Sequence, residues 1–379
     1  MLHLSSPRAR LVVGLCLALL ALQTIWIEAA RVLAAHGLWD FGAFLESGRA
    51  AARGLDPYGI YPLTPHVRFA GFETWNPNLN PPISALLFQP FDWAEPARSL
   101  QIWLWVSVAC YGAAVALLLR RYAGRTEAAL IAVWTFGLAG FWDTLFLGQI
   151  YLPLVLCATA AWLLLQRQEL IWSGVLIGLL IAIKPNFLVW PVLLFLAGHR
   201  RPALVSVAVA AGISLIPLAV YGPGIYQRWL ALVASDGERA FFLTNASISG
   251  LAARAGLPGA GLPLSLALLV GLAIWALWRR PGLLEVSGLA LLASLMASPL
   301  GWVHYTLFLL PVLLHHWRHL PVWIVAALLT VPVPTVLRQF GAEPWLQLTL
   351  GSVYGWALML CLATLIWRSW AERRNSFAT

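Results

Sequence analysis

Apolar residues in this chain gather in unbroken runs instead of alternating at strand spacing or striping one helix face. The runs are Leu11–Ile27, Ser99–Leu119, Ala128–Leu147, Tyr151–Leu165, Ile171–Ile183, Phe187–Ala197, Ala203–Tyr221, Leu262–Trp278, Leu283–Ala297, Tyr305–Leu314, Val322–Val336 and Trp345–Trp367. About 20 apolar residues cross the hydrocarbon core of a bilayer, so the pattern predicts an all-α polytopic membrane protein of about 12 segments. Several runs are too short to span at about 1.5 Å of rise per residue. Short apolar helices of this kind are half-helices or cavity-lining segments, because non-helical backbone at membrane depth must be buried or face a wet cavity.

The polar residues between the runs set the orientation. Arg8 and Arg10 precede the first run. Counting on from there, every second connection carries arginine: Arg120-Arg121 with Arg125, Arg167, Arg200-Arg201, Arg279-Arg280, Arg318 among histidines, and the tail with Arg368, Arg373 and Arg374. This is the positive-inside pattern, and it places both termini in the cytoplasm. The first run is long for a signal peptide and reads as a retained helix. Ile171–Ala197 is read as a hairpin turning at Lys184-Pro185-Asn186. A single Pro-kinked helix there would put the Arg200-Arg201 and Arg279-Arg280 pairs on the outside. The other face carries two long loops, residues 28–98 and 222–261, rich in Gly, Pro, Asn and aromatics. No linker or repeat divides the chain, so residues 1–379 form one membrane-embedded domain.

Composition narrows the classes further. Hydrophobic residues make up 61% and charged residues 10%, against about 25% charged in soluble domains. The net charge of +9 comes from arginines placed between apolar runs, so it signals membrane topology and not a nucleic-acid surface. Cys16, Cys110, Cys157 and Cys361 lie inside apolar runs without paired spacing and read as small core residues. No phosphate-binding loop, dinucleotide fingerprint, zinc pair or nucleophile elbow is present, which disfavours an ATP-driven pump or a soluble-cofactor enzyme.

Polar residues at or near membrane depth are costly and point to function. Asp40, Asp143, Gln149, Lys184, Asn245 and His304 come from six places and all fall on the outer side, as a site between helices would require. Asp40 suits either a helix cap or a catalytic carboxylate. Lys184, the only lysine, is either a snorkelling anchor or a ligand for an anionic phosphate. His304 heads an apolar helix, where a structural role is as common as a catalytic one. Asp143 is expected to pair with a neighbouring helix. Asn245 and Ser247 form an Asn-x-Ser triplet better suited to hydrogen bonding within a loop.

The ordered set of short motifs resembles glycosyltransferase family 87 of the polyprenyl-phosphate-dependent C superfamily. The matching stretches begin with Trp39-Asp40-Phe41, Gly54-Leu55-Asp56-Pro57-Tyr58 and Asn80-Pro81-Pro82. Leu147-Gly148-Gln149, Gly174 to Gly178 leading into Ile183-Lys184-Pro185, Asn245 to Gly250, and Ser298 to Tyr305 follow in order. Two positions depart from the pattern: Asn80, where an aromatic is common, and Tyr305, where a second histidine occurs.

The resemblance implies a GT-C-like fold in the bacterial plasma membrane. It also implies transfer of mannose or another hexose from a polyprenyl-phosphate sugar to a lipid or glycan acceptor at the outer face. Asp40 is then the base and Lys184 the phosphate ligand. His304 is catalytic and shares the phosphate, and Gln149, Asn245, Ser247, Tyr58 and Trp302 contact substrate. Membrane lipids are the surroundings, and nucleic acid is no partner. No cofactor or metal is expected; Glu46 and Asp56 are the residues that could join Asp40 as metal ligands. A transporter or flippase for a lipid-linked sugar or small anion is the rival class, and a non-catalytic scaffold is the third. The gathering of polar groups at one face favours surface chemistry over alternating access.

Overall fold

The computed structural model describes residues 6–35, 37–69, 72–234 and 237–376. It is nearly all helical. In chain order the helices are α1 (Pro7–Leu33), α2 (Trp39–Ala52), α3 (Ile83–Phe88), α4 (Pro96–Tyr122), α5 (Arg125–Phe136), α6 (Ala139–Leu147), α7 (Tyr151–Gln166), α8 (Leu170–Ile183), α9 (Val189–Leu196) and α10 (Arg200–Tyr221). They continue with α11 (Gly224–Ala234), α12 (Ile248–Arg254), α13 (Gly261–Arg279), α14 (Leu283–Met296), α15 (Leu310–His315), α16 (Leu320–Leu328), α17 (Val333–Gln339), α18 (Pro344–Leu348) and α19 (Val353–Ser376).

Among the described residues, five helices are long and apolar enough to cross a membrane, or seven if the bent pairs α5–α6 and α16–α17 each count as one span. This makes the chain a multi-pass membrane protein. Five shorter apolar helices, Tyr151–Gln166, Leu170–Ile183, Pro185–Leu196, Leu283–Met296 and Val303–His315, complete the bundle. The long helices turn Leu and Trp outward, such as Leu19, Trp26, Leu204 and Trp278. α14 instead is buried on every side from Val286 to Met296, so its apolar residues follow no helical stripe.

The bends have local causes. The α5–α6 break, a turn of 42°, falls at Gly137, where an added Cβ would lie 2.3 Å from the Cβ of Ala21 on α1. The α16–α17 break, 70°, ends at Pro332, which has no amide proton to continue a hydrogen-bond ladder. α8 and α10 pack most closely of all. Gly174 faces Pro202 and Val205, and Gly178 faces Ser206 and Val209, so numbers rise together along both helices and the two run parallel. The short α9 therefore returns between them. Residues 171–197 form the hairpin and not one kinked helix.

Chain reversals sort onto two end faces. On one, Arg10 pairs with Glu127 at 2.8 Å, Tyr122 donates to Gln166 at 3.0 Å, and His199 Nε2 lies 2.8 Å from the carbonyl of Pro281. On the other, Arg31 meets Asp143 at 3.2 Å, Asn186 donates to the Ser294 carbonyl at 3.2 Å, and Asn245 to that of Pro299 at 3.1 Å.

The segments read as loops are more ordered than their composition suggests. α1 runs on to Leu33, past the expected loop start at residue 28. The rest of 28–98 holds α2, α3 and a two-stranded antiparallel hairpin, β1 (His66–Phe69) and β2 (Phe72–Trp75), paired His66 with Trp75 and Arg68 with Glu73. That hairpin is the departure from an all-α fold. Its two short, β-prone stretches were masked by the surrounding Gly and Pro. Residues 222–261 hold α11 and α12.

The α8–α10 contact is open to test. A Cβ on Gly178 would lie 2.6 Å from the Ser206 carbonyl oxygen and 2.7 Å from Val209 Cβ. Small residues allow such approach in membranes, so Gly178→Val is expected to cost about 1–3 kcal/mol by overpacking. A lowered thermal unfolding midpoint of the purified protein in detergent is the readout, with Gly112→Ala, which meets nothing within 4 Å, as the neutral control.

Candidate active site

A cavity of about 450 Å³ opens on the second of these faces, and most of the sequence-selected residues line it. Asp40 enters from the start of α2. It is not the cap of that helix: Leu38 holds the cap position, and no side chain bonds there. The preceding Trp39 sits at φ 45°, a left-handed conformation that costs a bulky residue energy. Its ring lies 5.1 Å from that of Phe146.

Gln149 reaches Asp40 from the end of α6 because Gly148 turns the chain at φ 67°. A side chain there would also strike Phe41, with Cβ to Cβ at 2.6 Å. Gln149 Nε2 donates to Asp40 Oδ2 and Asn76 Nδ2 donates to Asp40 Oδ1, both at 2.5 Å. Arg239 Nη1 then donates to the oxygen of the same Asn76 amide at 2.5 Å, and its Nη2 donates to the Trp75 carbonyl at 3.2 Å. The guanidinium fixes which way the Asn76 amide faces, and so which atom meets Asp40. Burial pushes the Asp40 carboxyl up to about 6, opposed by the Gln149 hydrogen bond and the Arg239 charge.

Lys184 stands where α8 ends before Pro185. Its ammonium lies 4.5 Å from the ring centre of Tyr151 and 5.5 Å from that of Tyr305. No carboxylate among the described residues forms an ion pair with it. Cation–π contact holds such a group without neutralising it.

His304 begins the turn that leads into α15. It is 2% exposed and packs against Tyr151 with ring centres 4.3 Å apart. Its Nδ1 lies 3.1 Å from Asp143 Oδ2, and its Nε2 is buried without a hydrogen-bond partner. Asp143 also accepts from Arg31 Nη2 at 3.2 Å. Arg31 Nη1 reaches Glu28 at 3.1 Å, and the other Glu28 oxygen accepts the Val333 amide at 2.8 Å.

The remaining predicted residues divide. Trp302 lines the cavity. Asn245, Ser247 and Tyr58 do not. Asn245 is fully buried. It donates to the carbonyls of Ala240 and Pro299 and accepts from the amides of Ser247 and Gly301. Ser247 caps α12 through the Gly250 amide, and the Tyr58 hydroxyl donates to the Asn80 carbonyl at 3.0 Å. These three shape the walls behind the cavity.

Asn76, Arg31, Arg239 and Tyr151 line it without having been singled out as site residues. Only an outer-loop arginine as a class was foreseeable. As for metal, no group of three His, Cys, Asp or Glu gathers among the described residues. Glu46 pairs with Arg49 at 3.3 Å and Asp56 with Arg228 at 3.3 Å, and neither joins Asp40 at the cavity.

Asp40 and Lys184, a held carboxylate and an unneutralised ammonium in one half-enclosed cavity, suit the transfer of a group from an anionic leaving group to a hydroxyl. Comparison with known proteins agrees. The chain is 27% identical over 331 residues to a polyprenol-phosphate-mannose-dependent α-(1-2)-phosphatidylinositol pentamannoside mannosyltransferase of Mycobacterium tuberculosis, covering 77% of this chain and 73% of that protein. No solved structure matches. The sequence model of glycosyltransferase family 87 matches residues 78–299, and the chain belongs to that family.

Proposed function

We propose that the protein transfers a hexose, mannose in the first instance, from a polyprenyl-phosphate sugar to a glycolipid or glycan acceptor at the extracytoplasmic face of the bacterial plasma membrane. The observation that carries this reading is the pairing within one cavity of Asp40, held by two amides, with Lys184, which forms no ion pair among the described residues. The relative's name supports the donor class. Five long spans, two bent pairs and five shorter apolar helices support a reading of about 12 membrane segments, several of them short or broken. With the arginine-rich connections inside, both termini are cytoplasmic and the cavity opens outside.

The reaction is a single displacement with inversion. The acceptor hydroxyl oxygen attacks the anomeric carbon as its proton passes to Asp40. The bond from that carbon to the phosphate oxygen breaks, and its electron pair leaves on the polyprenyl phosphate. Lys184 meets the negative charge that grows there, in surroundings where a fixed cation acts more strongly than in water. Gln149 and Asn76 hold the carboxylate by both oxygens, so the base is oriented before substrate arrives. Trp302 forms part of the wall. No metal is assigned to the step.

In lipid-reconstituted protein given radiolabelled polyprenyl-phosphate mannose and a lipid extract, Asp40→Asn is expected to lower transfer by roughly 10²–10⁴-fold. Full activity in that variant would remove Asp40 as base, and movement of labelled lipid between leaflets without product would point to a flippase. Lys184→Ala is expected to raise the donor KM roughly tenfold or more, the loss of a charge-assisted contact. An unchanged donor KM would take Lys184 off the phosphate.

The pH dependence follows from Asp40. The base must be ionised, and its carboxyl is pushed up to about 6, so kcat/KM falls as the pH drops below that value. The Gln149 bond favours the ionised form, so Gln149→Met is expected to move the acid limb to higher pH. A limb that stays in place would separate Gln149 from the titrating group.

A further inference from the structure

His304 presents a feature the displacement above does not use. Asp143 is an acceptor when ionised, so the proton between it and His304 belongs to Nδ1. That assignment leaves Nε2 of a neutral imidazole as a bare acceptor, and Nε2 is buried with no hydrogen-bond partner among the described residues. The charges around the ring favour the neutral state. Glu28 and Asp143 are negative, Arg31 bridges them, and Lys184 shares the Tyr151 wall with His304. With Asp40 and Arg239, which line the same cavity, three acids and three bases balance with the imidazole uncharged. The other titratable groups against the ring, Tyr151 and Tyr305, are neutral phenols.

A bare nitrogen lone pair repels phosphate oxygens and needs a donor. Among the chemical groups of a hexosyl lipid phosphate, that donor is a sugar hydroxyl. We propose that His304, its tautomer set by Asp143, accepts a hydrogen bond from one hydroxyl of the transferred hexose and so selects the sugar, leaving the phosphate to Lys184. This rests on the glycosyltransferase reading above and names the part of the donor that His304 recognises. Asp143 is then a positioning residue. Its own orientation is fixed by Arg31, which is held in turn by Glu28 and by the face of Phe146, 3.7 Å from its guanidinium carbon. A site built to bond a hydroxyl discriminates strongly against a substrate lacking it, because its buried acceptor is left unpaired.

The test uses wild-type protein in lipid with farnesyl-phosphate donors carrying mannose or mannose lacking one hydroxyl at a time. One monodeoxy donor is expected to lose roughly tenfold to a hundredfold in kcat/KM. In His304→Phe, which keeps the ring against Tyr151 but removes both nitrogens, that donor and mannose should become equivalent while the other donors keep their order. Asp143→Asn, whose amide can donate to Nδ1 and turn Nε2 into a donor, should weaken the same discrimination, and Asp143→Glu should restore part of it. Inhibition by farnesyl phosphate should be unchanged in His304→Phe.

A wild type indifferent to every single deletion overturns the proposal without recourse to any variant. So does a His304→Phe protein slowed equally on all donors, which is the signature of a merely structural ring. Weakened farnesyl phosphate inhibition in that variant would place His304 on the phosphate instead. No transfer from any hexosyl donor by the wild type would overturn the glycosyltransferase reading itself, and this assignment with it.

Discussion

An apolar bundle has no water to answer an exposed carbonyl, amide or charge, and this protein's architecture follows from that constraint. Arg31 shows it most directly. Its guanidinium lies between Glu28, 0% exposed, and Asp143, 4% exposed, and each acid has one further donor, the Val333 amide and the His304 ring. Four separate segments, α1, α6, the turn before α15 and the start of α17, are thereby tied at one depth. Removing one member would leave a buried charge uncompensated, typically a loss of about 3–5 kcal/mol. The cluster is better understood as a fixed point of geometry than as a source of net stability, since burying its charges cost much of what their attraction returned.

The same constraint explains why so many helices here are short. A helix that crosses the whole bilayer satisfies its own backbone and leaves nothing free to face a substrate. Helices that stop partway expose end groups and require polar partners, and those partners become a site. α6 stops at Gly148 and delivers Gln149. α8 stops before Pro185 and delivers Lys184. α14 ends at residues 297–302, a loop knotted by Asn245, and the chain re-enters at His304. Each break falls on the cavity face, and each brings one polar side chain to the cavity.

Much of this was legible in the sequence, for the same physical reason. Charge and amide groups stand out against apolar runs, so Asp40, Gln149, Lys184 and His304 could be picked out and prove to share one cavity. What stayed hidden depended on long-range contact. Arg31 lies four residues past the end of the first run, inside the expected loop, although the helix continues to Leu33. Asn76 and Arg239 lie in Gly- and Pro-rich segments where many polar residues compete, and only tertiary pairing distinguishes them. Tyr151 opens an apolar helix and carries no polar signal of its own. Asn245 and Ser247 stood out for the opposite reason. A dense hydrogen-bonding motif draws attention whether it serves a substrate or a turn, and here it serves the turn.

The cavity's two halves differ in how they are held. Lys184, His304, Asp143 and Tyr151 are mounted on the bundle, where close packing such as the α8–α10 contact fixes the helices that carry them. Asp40 is mounted on the outer layer. Its helix begins with a residue at φ 45°, and its oxygens are met by the end of α6 and by Asn76 beyond β2. Asn76 is turned in place by Arg239 from the other outer segment. The half that carries Lys184 is therefore positioned by helix packing, while the half that carries Asp40 depends on two outer segments being correctly placed against each other. Because orientation contributes strongly to a displacement rate, the function proposed above has a change within the outer layer, far from the chemistry, silence Asp40 and leave donor binding intact. The separation also suits the chemistry. On the proposed function the donor's lipid approaches through the membrane, against the half built on the bundle, and the acceptor hydroxyl meets Asp40 on the other half.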